Sequence, residues 1–217
     1  MVNAGYTIQQ LAKRRKKQSV KKFAAATILF IAPALAYLMS GITGISILIN
    51  IGCWVKSIVY IRKGQRLLLA SQKANLGAEA EKSVALILSE LEREGWQIEY
   101  NISLRHWGDA DAFIRSPKGN CFVVNTKGNG GTIFFDGTKL MLRYGRKVHS
   151  FSNNKDILKA VKGQAATLKE IYRVRFVTPI LCFTNANLNI KTIDNKIENV
   201  YVLTHRSLIR ALRRLDK

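Results

Sequence analysis

The chain has 217 residues, 47% hydrophobic and 23% charged, which is the composition of a folded protein with one or two domains and not of a disordered chain. Its 35 Lys and Arg against 14 Asp and Glu give a net charge of +21, which points to nucleic acid or an anionic membrane surface as partner. Three cysteines without a Cys-x-x-Cys pair exclude a disulfide framework and a zinc ribbon, and fit a reducing compartment.

The charge is unevenly placed. No Asp or Glu precedes Glu79. The first segment, residues 1–22, carries Lys13, Arg14, Arg15, Lys16, Lys17, Lys21 and Lys22. Residues 23–61 follow with Lys56 as their single charge, and Arg62, Lys63 and Arg66 close the stretch. This is about twice the ~20 apolar residues that one crossing of a bilayer needs. The pattern therefore predicts a transmembrane helical hairpin, one helix over about 23–39 and a second over about 42–61, with Ser40-Gly41 as the turn. Basic residues flank both outer ends and none lies near the turn, so both ends are expected in the cytoplasm. The pattern thus predicts a multi-pass membrane protein. Trp54, Lys56 and Tyr60 suit the interfacial depth.

The remaining chain reads as an α/β domain. A helical connector is expected over 62–76, then a domain over 77–217. Val84, Ile87, Leu88 and Leu91 recur at helical spacing within 77–94, and Gly95 ends that helix. Strands are expected over 96–104, 109–115 and 121–127, the last two joined by the turn Ser-Pro-Lys-Gly-Asn. A hairpin turning at Asp136-Gly137 joins strands 132–136 and 139–144. A long helix follows over 153–174, with Asn153 or Asn154 as its cap. Then come a buried strand over 177–184, a polar loop over 185–195, a strand over 200–204 and a basic helix over 205–215. Gly128-Asn129-Gly130-Gly131 reads as a flexible turn. The order implies a mixed β-sheet flanked by helices.

Two charges fall where strands do not need them, Asp111 and Lys127. Side chains alternate along a strand, so Asn125 and Lys127 share one face. If the hairpin is symmetric about Lys118, Arg115 pairs with Cys121 and Asp111 lies opposite Asn125. Glu81, three residues before Val84, stands on the core-facing stripe of the preceding helix. An acid there, near a strand Asp and a strand Lys, suggests a divalent-metal site with oxygen ligands, which suits Mg²⁺ or Mn²⁺. Such a site activates water and stabilises charge on a phosphate, with Lys127 orienting the water or countering the developing charge.

Gly77-Ala-Glu-Ala-Glu81, Gly108-Asp-Ala-Asp111-Ala-Phe-Ile and Phe122-Val-Val-Asn-Thr-Lys127-Gly-Asn-Gly-Gly, with Gln164 in the following helix, resemble the nuclease-related domain (NERD). The resemblance covers roughly Gly77 to Leu212. That family is placed in the PD-(D/E)XK, restriction-endonuclease-like superfamily. The resemblance implies an αβββαβ core and metal-dependent phosphodiester cleavage, and it makes the plasma (inner) membrane the expected one. By position it makes Asp111, Lys127, Glu81, Asn125 and Gln164 the catalytic set, with Asp111, Glu81 and Asn125 as ligands of Mg²⁺ or Mn²⁺. Asn125 departs from the pattern, since the family's Glu-x-Lys reads Asn125-Thr126-Lys127 here. A neutral amide oxygen replaces a carboxylate, so weaker metal binding or a binding-only domain is the alternative reading.

Lys139, Arg143, Arg146 and Lys147, with Arg206 and Arg210 on the last helix, are candidates for tracking nucleic-acid phosphates. DNA is expected before RNA. Membrane lipid is the second expected partner, through the hairpin. The sequence carries no signal for an oligomeric state.

Overall fold

The computed structural model describes residues 6–40, 44–151 and 156–217. These residues separate into two compact units, Tyr6–Leu76 and Gly77–Lys217.

The first unit is built from α1 (Tyr6–Ser40) and the leading part of α2 (Gly44–Glu92). The two helices run antiparallel, and small residues line their seam. Ser71 Oγ donates to Ala12 O at 2.8 Å, Ser19 Oγ to Gly64 O at 2.9 Å, and Ser57 Oγ to Ala26 O at 2.9 Å. Each helix thus offers a small residue every seventh position, and all five of these side chains are buried. Gly64 is a packing position, since a Cβ there would stand 3.0 Å from the Phe23 ring. The Phe30 and Trp54 rings stack at 5.8 Å. Large apolar side chains face outward instead, among them Ile28, Phe30, Leu35, Leu48, Val55 and Ile58. Among the described residues one helix, Ile8–Ala36, is long and apolar enough to cross a membrane.

Two expectations change here. The basic stretch 13–22 is helical and not a separate segment. The second apolar helix, the connector and the amphipathic helix are one element, α2. Gly64 and Gly77 do not interrupt it, since a helical glycine costs only about 1 kcal/mol, and at Gly64 the Phe23 ring fills the place of the missing side chain. The expected turn at Gly41 lies outside the described residues.

The second unit is a mixed sheet between helices. Its strands are β1 (Gln97–Leu104), β2 (Gly108–Arg115), β3 (Cys121–Phe135), β4 (Leu140–Tyr144), β5 (Lys147–Ser150), β6 (Val177–Asn189), β7 (Lys196–Ile197) and β8 (Val200–Thr204). The order is β1-β2-β3-β6-β8-β7, with β4 on the distal half of β3 and β5 on β4. β6 runs parallel to both β3 and β8, and the remaining pairs are antiparallel.

Each face of the sheet has its own core. Phe113, Val123, Leu181 and Phe183 pack against Leu158, Val161, Ala165 and Leu168 of α3 (Ile157–Ile171). Ala112, Ile114, Phe122, Val124 and Cys182 pack against Val84, Leu88 and Leu91 of α2 and Leu208, Ala211 and Leu212 of α4 (His205–Leu215). The alternation of strand side chains feeds both faces, so the central strands are apolar almost throughout.

β3 departs most from expectation. It runs through Gly128–Gly131 as continuous strand, with a register shift against β6 between Lys127 and Gly130. Gly131 takes φ +81°, and a Cβ there would strike Arg143 O at 2.6 Å, so glycine is needed where β4 crosses close. β6 likewise extends to Asn189 along the distal half of β3, where a loop is expected from polarity. α3 is capped by Asp156, whose Oδ1 accepts from Leu158 N at 3.0 Å and Lys159 N at 3.1 Å. The expected caps, Asn153 and Asn154, lie outside the described residues.

Candidate active site

The Ser116–Asn120 turn sets the register of β2 on β3, with Arg115 opposite Cys121 and Ala112 opposite Val124. The ladder stops there. One residue further, Asp111 replaces a backbone acceptor with its own carboxylate, and Oδ2 accepts from Thr126 N at 2.5 Å. Divergence of two strands thus opens a notch, and Asp111 holds its edge.

Asp111 is half-buried. Burial pushes its carboxyl up to about 6. The Lys127 ammonium and the Thr126 N–H pull the other way, and the charge of Asp109 adds to the rise. A carboxylate left under-compensated by its surroundings is a place for a cation. The Cys182 thiol is held up at about 12 by burial and by Asp111, so it is an inert packing group.

Asn125 and Lys127 share the α3 side of β3, as alternation requires. Lys127 Nζ donates to Asn125 Oδ1. Asn125 Nδ2 donates to Gln164 Oε1 at 3.2 Å and approaches Asp109 O at 3.5 Å. Gln164 Nε2 in turn donates to Asp109 O at 2.8 Å and Trp107 O at 3.2 Å. Gln164 is 2% exposed and Asn125 8%. The chain of bonds has one direction. It begins at the ammonium and ends at two backbone carbonyls, Trp107 in the β1–β2 connection and Asp109 at the start of β2. An acid at position 125 would bring a carboxylate against Gln164 Oε1, acceptor against acceptor. Asn125 is therefore the residue type this network needs, and it holds Lys127 without a second buried negative charge.

The Trp107 ring is placed by a gap in α3. A Cβ on Gly163 would lie 2.2 Å from Trp107 Cδ2 and Cε2, so only glycine lets the indole settle on the helix. Trp107 remains 36% exposed beside the notch. Neither Gly163 nor Trp107 stands out in the sequence, because a lone helical glycine and a lone loop tryptophan have many explanations.

The structure thus brings Asp111, Asn125, Lys127 and Gln164 together through hydrogen bonds and charge. Glu81 lies on α2 one turn before Val84, a residue that packs on the opposite face of the sheet. Among the described residues no three His, Cys, Asp or Glu side chains gather into a cage. The donors at the notch are one desolvated carboxylate and an amide oxygen. That set fits a hard divalent cation that keeps several waters, such as Mg²⁺, better than a metal needing a closed ligand shell.

The basic candidates divide into two groups. Lys139, Arg143, Arg146 and Lys147 lie on the β4–β5 ribbon, with the last three exposed. The Arg143 guanidinium stands over the Phe134 ring, 4.7 Å from its centroid. Arg206 and Arg210 are exposed on α4, while Arg213 pairs with Glu94 and Arg214 with Asp194. The basic stripe of α4 is thereby shortened to its first two members.

A family model for the nuclease-related domain matches residues 76–184, half of the chain. The chain belongs to the nuclease-related domain family. Comparison with curated proteins gave no match, and comparison with solved structures gave none. The family match runs from Leu76 in α2 to Thr184 within β6, and it contains every member of the notch.

Proposed function

We propose that this NERD protein is a membrane-anchored, divalent-metal-dependent nuclease whose domain works at the cytoplasmic face. The observation that carries the activity is the notch itself, a desolvated Asp111 beside a lysine that a directed amide chain holds in place. Asp111 would hold the cation, with Asn125 Oδ1 and Glu81 as further oxygen donors. When bound, Mg²⁺ or Mn²⁺ supplies a lowered water pKa and charge neutralisation at the phosphate. Lys127 then faces the non-bridging oxygen that gains charge, or orients the attacking water. The Asn125–Gln164 chain limits where its ammonium can go. Lys139, Arg143, Arg146, Lys147, Arg206 and Arg210 give positive surface for the flanking phosphates. DNA is our first choice of substrate. In fold terms we read the domain as restriction-endonuclease-like.

Anchoring is supported by the inside-out character of the α1–α2 pair. Hydroxyls and small residues meet at the seam while large apolar side chains face out. That arrangement suits lipid, where close helix approach and satisfied polar groups hold helices together. We read two crossings, with both basic ends on the cytoplasmic side.

The test uses the purified full chain in detergent with single- and double-stranded DNA and RNA, in Mg²⁺, Mn²⁺ or EDTA. Cleavage in metal, absent in EDTA and abolished by Lys127→Ala and Asp111→Ala in folded protein, is expected. Retained cleavage in either folded variant refutes the assignment. A second reading rests on a specific observation, that both polar atoms of the Asn125 amide are already engaged. On that reading the domain binds nucleic acid without cutting it. Binding that persists in EDTA and falls steeply with salt, with no cleavage in any metal, would support it.

A further inference from the structure

The carboxyl end of the parallel strands carries a second concave feature. A cleft of about 470 Å³ lies between the distal part of β6 and the start of α4, lined by Thr184, Asn185, Ala186, Asn187, Thr204, His205 and Arg206. No carboxylate lines it. Three buried side-chain polar atoms among the described residues lack a hydrogen-bond partner, and two of them belong to this lining, Thr184 Oγ1 and His205 Nδ1. Thr184 is 9% exposed. A buried hydroxyl with nothing to bond is costly unless a ligand or water completes it.

The same place is the N-terminus of α4, an eleven-residue helix; the Thr204 side chain caps the Ser207 N–H, and the His205 and Arg206 N–H groups before it have no partner within the helix. Ser207 Oγ accepts from Thr204 N at 3.2 Å, which fixes the entry into the helix. The macrodipole favours negative charge at this end. Exposed Arg206 adds a full positive charge in the first turn.

The cleft also has a fixed relation to the notch. Phe183 pairs with Lys127 on one side and Thr204 on the other, so Lys127 and the cleft's Thr204 lie in one row across three strands. Two strand spacings put about 10 Å between those backbones. Asn185 Nδ2 approaches Gly128 O at 3.5 Å, linking the cleft wall to the segment just beyond Lys127.

We propose that this cleft is a phosphate subsite. It takes a tetrahedral oxyanion through the Thr184 hydroxyl, the His205 and Arg206 N–H groups of α4 and the Arg206 guanidinium, with His205 Nδ1 as a further polar contact. The oxyanion comes either from a phosphate of the nucleic-acid backbone or from a terminal phosphate monoester. The assignment of nucleic acid rests on the nuclease reading, whereas phosphate binding itself does not.

Calorimetric titration of the full chain with inorganic phosphate, in EDTA to prevent cleavage, tests the proposal. Parent protein is expected to bind. Thr184→Val, which removes only the hydroxyl, and Arg206→Gln, on the surface, should each weaken binding about tenfold, the scale of one charge-assisted hydrogen bond. Circular dichroism checks that both remain folded. Competition by short 5′-phosphorylated and 5′-hydroxyl single strands then separates the sources. A 5′-phosphate preference lost in Thr184→Val indicates a terminal monoester. Equal competition by both strands, weakened in Thr184→Val, indicates the backbone. Absence of phosphate binding by the parent, or unchanged binding in both folded variants, overturns the subsite. Phosphate binding with the expected variant losses but no cleavage in any metal would retain the subsite and reject the nuclease.

Discussion

Replacing Asp111 by Asn should make the domain more stable at neutral pH while removing its chemistry. The Asp111 carboxyl titrates near 6 in the fold, against an ordinary 3.8. A rise of about 2 units at about 1.36 kcal/mol each means that the ionised carboxylate costs the fold about 3 kcal/mol. The sign follows from proton uptake. Between those two values the folded state holds a proton that the unfolded state has lost, so stability falls as pH rises from about 4 through about 6. Asn resembles the neutral acid and keeps an oxygen for Thr126 N–H, although its Nδ2 then needs a partner. A net gain of about 2 to 3 kcal/mol above pH 7 is expected, shrinking to nothing near pH 4. Urea unfolding of the full chain in detergent measures this. Fluorescence in a Trp54→Phe background reports on the domain through Trp96, which is buried against Phe122 at 6.0 Å. A variant less stable than the parent at pH 8, or a gain that is the same at pH 4, would refute the reasoning.

Three further outcomes follow from the same geometry. Asn125→Asp should destabilise the domain by about 2 to 4 kcal/mol at pH 8, because it sets a second buried carboxylate against Gln164 Oε1; an unchanged urea midpoint would contradict the directed amide chain. Gly163→Ala should cost about 1 to 3 kcal/mol by overpacking and turn the Trp107 ring outward, read as a red-shifted Trp107 emission; an unshifted spectrum with unchanged stability would show that the indole does not depend on this gap. Mn²⁺ affinity should fall about tenfold per pH unit below about 6 and stay level above it, as Asp111 takes up its proton; an affinity constant from pH 5 to 8 would remove Asp111 from the ligands.

Local chemistry made much of this fold legible. The Ser-Pro-Lys-Gly-Asn turn fixes the β2–β3 register, which places Asp111 one step past the last ladder pair and next to Thr126. The mixed sheet and the order of its main helices follow from periodicity. What the sequence hid depends on partners distant along the chain. β3 continues through four residues rich in glycine because the parallel β6 ladder resumes at Gly130 and the antiparallel β4 ladder begins at Thr132. β5 escapes notice because every residue in it is exposed, so no apolar alternation marks it. The continuity of α2 is set by packing at Gly64, which local glycine signals cannot express. In the site, Lys127 and Asn125 share a face by simple alternation. The role of Asn125 needed Gln164, because the reason for an amide at that position lies 39 residues away.

The central claim is tested most directly by comparing cleavage by the parent and by Asp111→Asn in Mg²⁺, on protein whose folding has been measured in the same preparation. The account predicts a parent that cuts nucleic acid and a variant that is at least as stable yet slower by about 10³-fold or more, the scale of a lost metal and charge-stabilising group. A stable variant that cuts as fast as the parent would contradict it.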